Sequence, residues 1–170
     1  MGLNGVDRPN YTVKEAAEAS GFAEKVLRSY LDRSTFHIGT KEKHPINRWL
    51  FSHVDLVRWR IVRGVLELGP MGPADAKVAL DSAHSLRQHM LTAPATYRDL
   101  KQALIWEAGE GGYGTLLGDL SRANREWVFA TVGEAARIVL VMPIGLWLED
   151  VETKIAAIEK SREETAGVAS

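Results

Sequence analysis

Tyr11-Thr12-Val13-Lys14-Glu15-Ala16-Ala17-Glu18-Ala19-Ser20-Gly21-Phe22-Ala23-Glu24-Lys25-Val26-Leu27-Arg28-Ser29-Tyr30 decides how the chain folds. Thr12 followed three residues later by Glu15 is a capping box, so a helix starts there. Ser20-Gly21-Phe22 stops it, because Gly21 readily takes a left-handed conformation. Ala23 to Asp32 resumes helical periodicity, with Val26, Leu27, Tyr30 and Leu31 apolar and Lys25, Arg28 and Ser29 polar. Two short helices around a glycine turn make a helix-turn-helix candidate, and the small Ala16 and Ala17 let the second helix cross the first closely.

Downstream, Phe36 to Phe51 contains Gly39, Pro45 and Asn47 with Lys41, Lys43 and Arg48, and reads as a loose β-hairpin with a basic tip. Trp49 and Phe51 read as the packing that holds this hairpin on the helices. Ser52 caps a helix from His53 to Leu68, whose apolar set is Val54, Val57, Ile61, Val65 and Leu68. Gly69-Pro70-Met71-Gly72-Pro73 stops it. A connecting helix is expected from Pro73 to about Met90, and a boundary at Thr92-Ala93-Pro94-Ala95-Thr96. Beyond it, Leu104–Trp106 with Tyr113–Leu117, and Glu126–Val132 with Arg137–Met142, read as two hairpins of a small sheet of four strands. Pro143 ends the last strand. Ile144, Leu148, Val151, Ile155 and Ile158 then form an a/d seam on a helix running to about Glu164.

The fold class is therefore α+β: an N-terminal winged helix-turn-helix, a connecting helix, then a small antiparallel sheet with a C-terminal helix. The expected organisation is a flexible start (1–9), a winged domain (10–69), a connecting helix and linker (70–95), a dimerisation or effector domain (96–164) and a frayed tail (165–170). The five seam residues are candidates for dimerisation. They could equally pack on the chain's own sheet, and two heptads alone are too short to join two chains.

Composition supports a globular protein: of 170 residues, 45% are hydrophobic and 25% charged. No apolar run approaches the roughly 18 residues of a membrane span, so no membrane association is expected. The first nine residues lack the apolar stretch of a secretory leader, and a cytoplasmic location is the default expectation. Cysteine is absent, which removes disulfides, thiolate metal sites and thiol catalysis. The net charge of −1 hides an asymmetry: between Lys25 and Arg63 nine basic residues face three acidic ones, which suits a polyanionic partner.

The 11–30 stretch, together with Phe51-Ser52-His53-Val54-Asp55-Leu56, an arginine-rich helix and Glu67-Leu68-Gly69, resembles the N-terminal domain of MerR-type transcriptional regulators. The resemblance covers about residues 11 to 69. It implies a winged helix-turn-helix that binds double-stranded DNA as a homodimer, with Ala23 to Asp32 as the recognition helix in the major groove. By the same resemblance Arg28 and Tyr30 anchor to the phosphate backbone or orient the helix, while Glu24 and Lys25 stand nearer the base edges. The wing presents Lys41, Lys43 and Arg48 to phosphates; Lys14, Ser29 and Arg58 complete the candidate DNA contacts. Three departures stand out. The wing is longer than usual, the family's wing arginine falls on Trp49 with Arg48 one residue early, and the C-terminal seam follows a sheet. The missing cysteines exclude the thiolate metal sensing known in part of the family.

Other readings carry less. Arg28 could pair with Asp32, its i+4 neighbour, and Tyr30 could be a core aromatic. Gly109 to Gly114 lacks the Lys-Ser/Thr of a phosphate loop and reads as a hairpin turn. The histidines show no metal spacing, and no catalytic triad or carboxylate pair stands out, so neither an enzyme nor a cofactor is expected. Trp106, Tyr113, Trp127 and Trp147 fit core packing at least as well as a ligand pocket. The expected function is a sequence-specific, dimeric DNA-binding regulator of transcription, with RNA polymerase or another protein as a further partner. The alternatives are a phage-type architectural factor (an excisionase or small terminase subunit) and a protein-binding adaptor built on the same winged scaffold.

Overall fold

A computed structural model describes residues 7–42, 48–68, 71–82, 102–108, 112–118 and 139–168. The expected capping box forms, and Ser52 heads a second one. The Thr12 hydroxyl accepts from the Glu15 amide, and the Glu15 carboxylate accepts from the Thr12 amide at 2.8 Å, opening α1 (Val13–Ser20). Ser52 and Asp55 do the same for α3 (His53–Glu67). Gly21, at φ 80°, closes α1 in the left-handed region. α2 (Glu24–Asp32) follows one residue after Phe22; its N-cap, Ala23, offers no side-chain cap.

The wing is β1 (Thr40–Glu42) paired antiparallel with β2 (Arg48–Leu50), from Thr40 opposite Leu50 to Glu42 opposite Arg48. Its expected tip, Lys43 to Asn47, lies outside the described residues. Tyr11 and Phe51 exchange two backbone hydrogen bonds at 2.9 Å, which ties the base of the wing to the entrance of α1. The centre of this domain is aromatic. Trp59 is fully buried, with Phe22, Tyr30 and Phe36 around it at centroid distances of 5.9, 6.4 and 5.6 Å. The edge-to-face pair of Tyr30 with Phe36, at 5.3 Å and 71°, ties α2 to the segment that follows it, and the stacked pair of Tyr30 with Trp59 ties α2 to α3.

The connecting helix is described as α4 (Pro73–Ser82), packed along α3; its expected continuation to Met90 and the 92–96 boundary lie outside the described residues. β3 (Gln102–Ala108) and β4 (Gly112–Gly118) form the expected first hairpin. β5 (Val139–Met142) pairs antiparallel on the other side of β3, giving the order β4-β3-β5. Residues 126–132, read from the sequence as the hairpin partner of this strand, lie outside the described residues. With helices around two small antiparallel sheets, the fold is α+β.

The last helix, α5 (Ile144–Val168), departs from the expectation at its end. It runs past Glu164 to Val168, with the Thr165 hydroxyl donating to the Ser161 carbonyl at 2.8 Å, so Thr165 to Val168 continue the helix instead of fraying. Its seam is engaged within the chain. Ile144, Leu148, Val151, Ile155 and Ile158 are all buried, and α5 lies along α1 and α3. The physical reason is closeness of fit. α3 carries no side chain at Gly64, and the Trp147 ring occupies that gap: a Cβ built at Gly64 would stand 2.2 Å from the ring. Polar ties border the apolar seam. Asp150 accepts from Arg60 and from Lys154, both at 2.9 Å, and His53 Nε2 lies 2.9 Å from Glu152. At the far end, Arg162 donates to both Glu15 oxygens (2.7 and 2.8 Å) and to the Asn10 carbonyl, while the Tyr11 hydroxyl donates to Glu159 at 2.8 Å.

These ties set an acid limit on stability. Burial by itself raises the Glu15 carboxyl, but hydrogen bonds from Arg162 and Thr12 outweigh it and hold the group below its ordinary value. Asp150 is likewise raised by burial and brought below its ordinary value by Lys154 and Arg60. Burial and then the Glu159 contact push the Tyr11 phenol well above its usual range. Carboxyls with depressed folded values add stability that is complete above the unfolded carboxylate range and is lost as pH falls through the folded values. The melting temperature is expected to hold near neutrality and to fall below about pH 4. Arg162→Ala should cost about 1 kcal/mol at pH 7 and flatten the Glu15 part of that acid slope. Thermal melts of both proteins between pH 3 and 7 measure it; parallel curves would place the acid sensitivity elsewhere.

Candidate nucleic-acid interface

α2 buries one side and leaves the other to solvent. Leu27 and Leu31 point into the core, and Tyr30 is half-buried in the aromatic cluster. The opposite side carries Lys25, Val26 and Arg28 exposed and Ser29 half-exposed. Glu24, Lys25, Arg28 and Ser29 line one shallow surface groove with Asp32 and Arg33. The structure thus brings four of the sequence-predicted contacts together on one face. Arg33 joins them from just beyond the helix end, where only its charge marked it in the sequence.

Arg28 is paired, but with Glu24 and not with the Asp32 considered above. Its Nε and Nη2 donate to Glu24 at 2.9 and 2.6 Å. Either carboxylate is four residues away. Glu24 is favoured because an acid N-terminal to its partner, in the first helical turn, also meets the positive end of the helix dipole. Both side chains remain open to solvent, at 57% and 40%, so the guanidinium is reachable by a phosphate. Tyr30, expected either at the DNA or in the core, packs its ring edge-to-face against Phe22 and Phe36 at the margin of the core.

The other candidates scatter. Lys41 is exposed on β1, its ammonium 6.0 Å from the Trp49 ring centroid. Arg48, on β2, donates to Glu42 across the wing at 2.7 Å. Lys43 lies outside the described residues. Arg58 is partly buried on α3, 3.5 Å from Asp55 of the capping box. Lys14 lies on α1 in a groove shared with α5, lined also by Glu18, Ser161 and Arg162, and is grouped there and not with α2. Two arginines counted in the basic segment are used internally: Arg60 by Asp150 and the Trp147 ring, and Arg63 by Glu67 and the Phe22 ring. Among the described cations between Lys25 and Arg63, those left exposed therefore lie on α2, at its end and on the wing.

Among the described residues no helix is long and apolar enough to cross a membrane. No curated protein matches the chain. Residues 11–83 match the family model described as MerR HTH family regulatory protein, a span under half of the chain that takes in α1 through α4. Capped first helix, left-handed glycine turn, solvent-facing second helix and two-stranded wing all fall inside it. The N-terminal part of this chain is similar to the helix-turn-helix domain of MerR family regulatory proteins.

Proposed function

We propose that the protein is a cytoplasmic, sequence-specific regulator of transcription that binds an inverted-repeat site as a homodimer, without catalysis. The observation that carries this is the bare outer face of α2: α5 packs on α1 and α3, and leaves Lys25, Arg28, Ser29 and Arg33 uncovered. A single recognition helix reads only a few base pairs, so useful specificity asks for two half-sites about one helical turn apart. Because the α5 seam is engaged within its own chain, the dimer contact falls to other surfaces. The part beyond α4 then serves the dimer, a ligand or a protein partner such as RNA polymerase.

Affinity for duplex DNA measured against salt tests this. Displaced counterions should give a log–log slope of several units, since each neutralised phosphate contributes about −0.9. Arg28→Ala should weaken binding evenly across sequences, because it removes a phosphate contact and leaves Glu24 unpaired facing the backbone. Lys25→Ala should instead relax the preference near one base position. A flat slope would favour the adaptor reading, and unchanged affinity and preference in both variants would mean that another element meets the DNA.

A further inference from the structure

Val26 is one of three large apolar side chains left exposed among the described residues, at 42%, the others being Leu68 and Leu146. It alone lies on α2. Helical spacing of three puts it between Ala23, also exposed, and Ser29, on the side of the helix that carries Lys25 and Arg33. It does nothing for the core, where Leu27 and Leu31 are the buried pair, and a β-branched residue is a poor choice for an exposed helical position on propensity alone. Its neighbours give this face its chemistry. Lys25 is positive, Arg28 offsets Glu24, and the exposed acid Asp32 stands at the far end of the helix. The N-terminal half of α2 is thus the half a polyanion approaches, and that half of a recognition helix reaches base edges.

We infer that Val26 reads a thymine: its methyl groups, with Ala23 beside them, meet the C5-methyl that thymine alone among the four bases presents in the major groove. The inference rests on the DNA-binding reading above and adds to it a base and the residue that selects it. Lys25 and Ser29 then supply the polar contacts around an apolar centre, and Arg28 and Arg33 hold the backbone.

Replacing thymine by uracil removes that methyl and nothing else. The preferred duplex, selected from a random pool, is remade with each thymine changed in turn to uracil in both half-sites, and its affinity for the full-length protein is measured. At one thymine position the change should cost about fourfold per methyl, roughly 15-fold with both half-sites altered, and the other thymines should be indifferent. Val26→Ala should weaken binding to the thymine duplex several-fold, leave the uracil duplex nearly unchanged, and abolish the preference at that position. Val26→Thr, which keeps one methyl, should retain part of it. Specific binding with no thymine–uracil difference anywhere, or a selected site without thymine in its half-sites, overturns the inference and leaves the DNA-binding reading standing. A preference that persists in Val26→Ala takes the role away from Val26. Absence of binding to any duplex overturns both.

Discussion

Trp59→Ala is expected to cost about 3–5 kcal/mol, the range for emptying a large aromatic from a packed interior. Trp59 is fully buried and meets Phe22, Tyr30 and Phe36 at once. No neighbour can collapse into the space without leaving its own edge-to-face partner. With total stabilities of small proteins at about 5–15 kcal/mol, the variant should be largely unfolded or close to it. Trp59→Phe should behave very differently. The indole Nε1 is buried without a hydrogen-bond partner among the described residues, so phenylalanine removes an unsatisfied donor along with part of the ring. Its cost should stay near 1–2 kcal/mol, roughly the loss of ring volume less the relief of that donor. Denaturant unfolding followed by circular dichroism measures both. Equal losses would mean that the indole nitrogen, not ring packing, is what the site needs.

Gly64→Ala is the second large effect, and its sign is the informative part. Inside an ordinary helix this change gains about 1 kcal/mol, because alanine loses less backbone entropy. Here the new Cβ falls 2.2 Å from Trp147 Cζ2 and 2.5 Å from two further ring atoms. The ring has little room to retreat, since Trp147 is buried and the Arg60 guanidinium lies 5.5 Å from its centroid. The overpacking should win, for a net loss of about 1–3 kcal/mol. In a Trp147→Ala background the obstacle is gone, and Gly64→Ala should become stabilising by up to about 1 kcal/mol. Four melting curves complete the cycle. A loss of the same size in both backgrounds would show that Gly64 is needed for something other than the approach of α5.

The local devices were readable from the residues, and the long-range ones were not. Thr12 with Glu15, the Gly21 turn, the Ser52 cap and the Gln102–Gly118 hairpin each depend on residues a few positions apart, where chain geometry leaves few choices. The spacing of Ile144 to Ile158 announced an apolar stripe, yet a stripe does not name the surface it covers. That surface needed the gap at Gly64 and the carboxylate of Glu15, the latter 147 residues from Arg162. At the candidate DNA face, charge and helical order located Lys25, Arg28 and Ser29. The choice between Glu24 and Asp32 turned on helix-end electrostatics, and Val26 was hidden because its periodicity fitted the apolar set. Only its exposure in the folded chain separates it from Leu27 and Leu31.

Because α5 completes the packing of α1 and α3, the head of the chain must wait for its tail during biosynthesis. Residues 11–67 leave the ribosome with an apolar flank that stays open until Ile144 and the helix after it have been made. At about 5–20 residues per second that interval lasts several seconds or more. A message truncated anywhere in between yields a sticky, half-built helical domain, and such fragments are natural clients for chaperones and proteases.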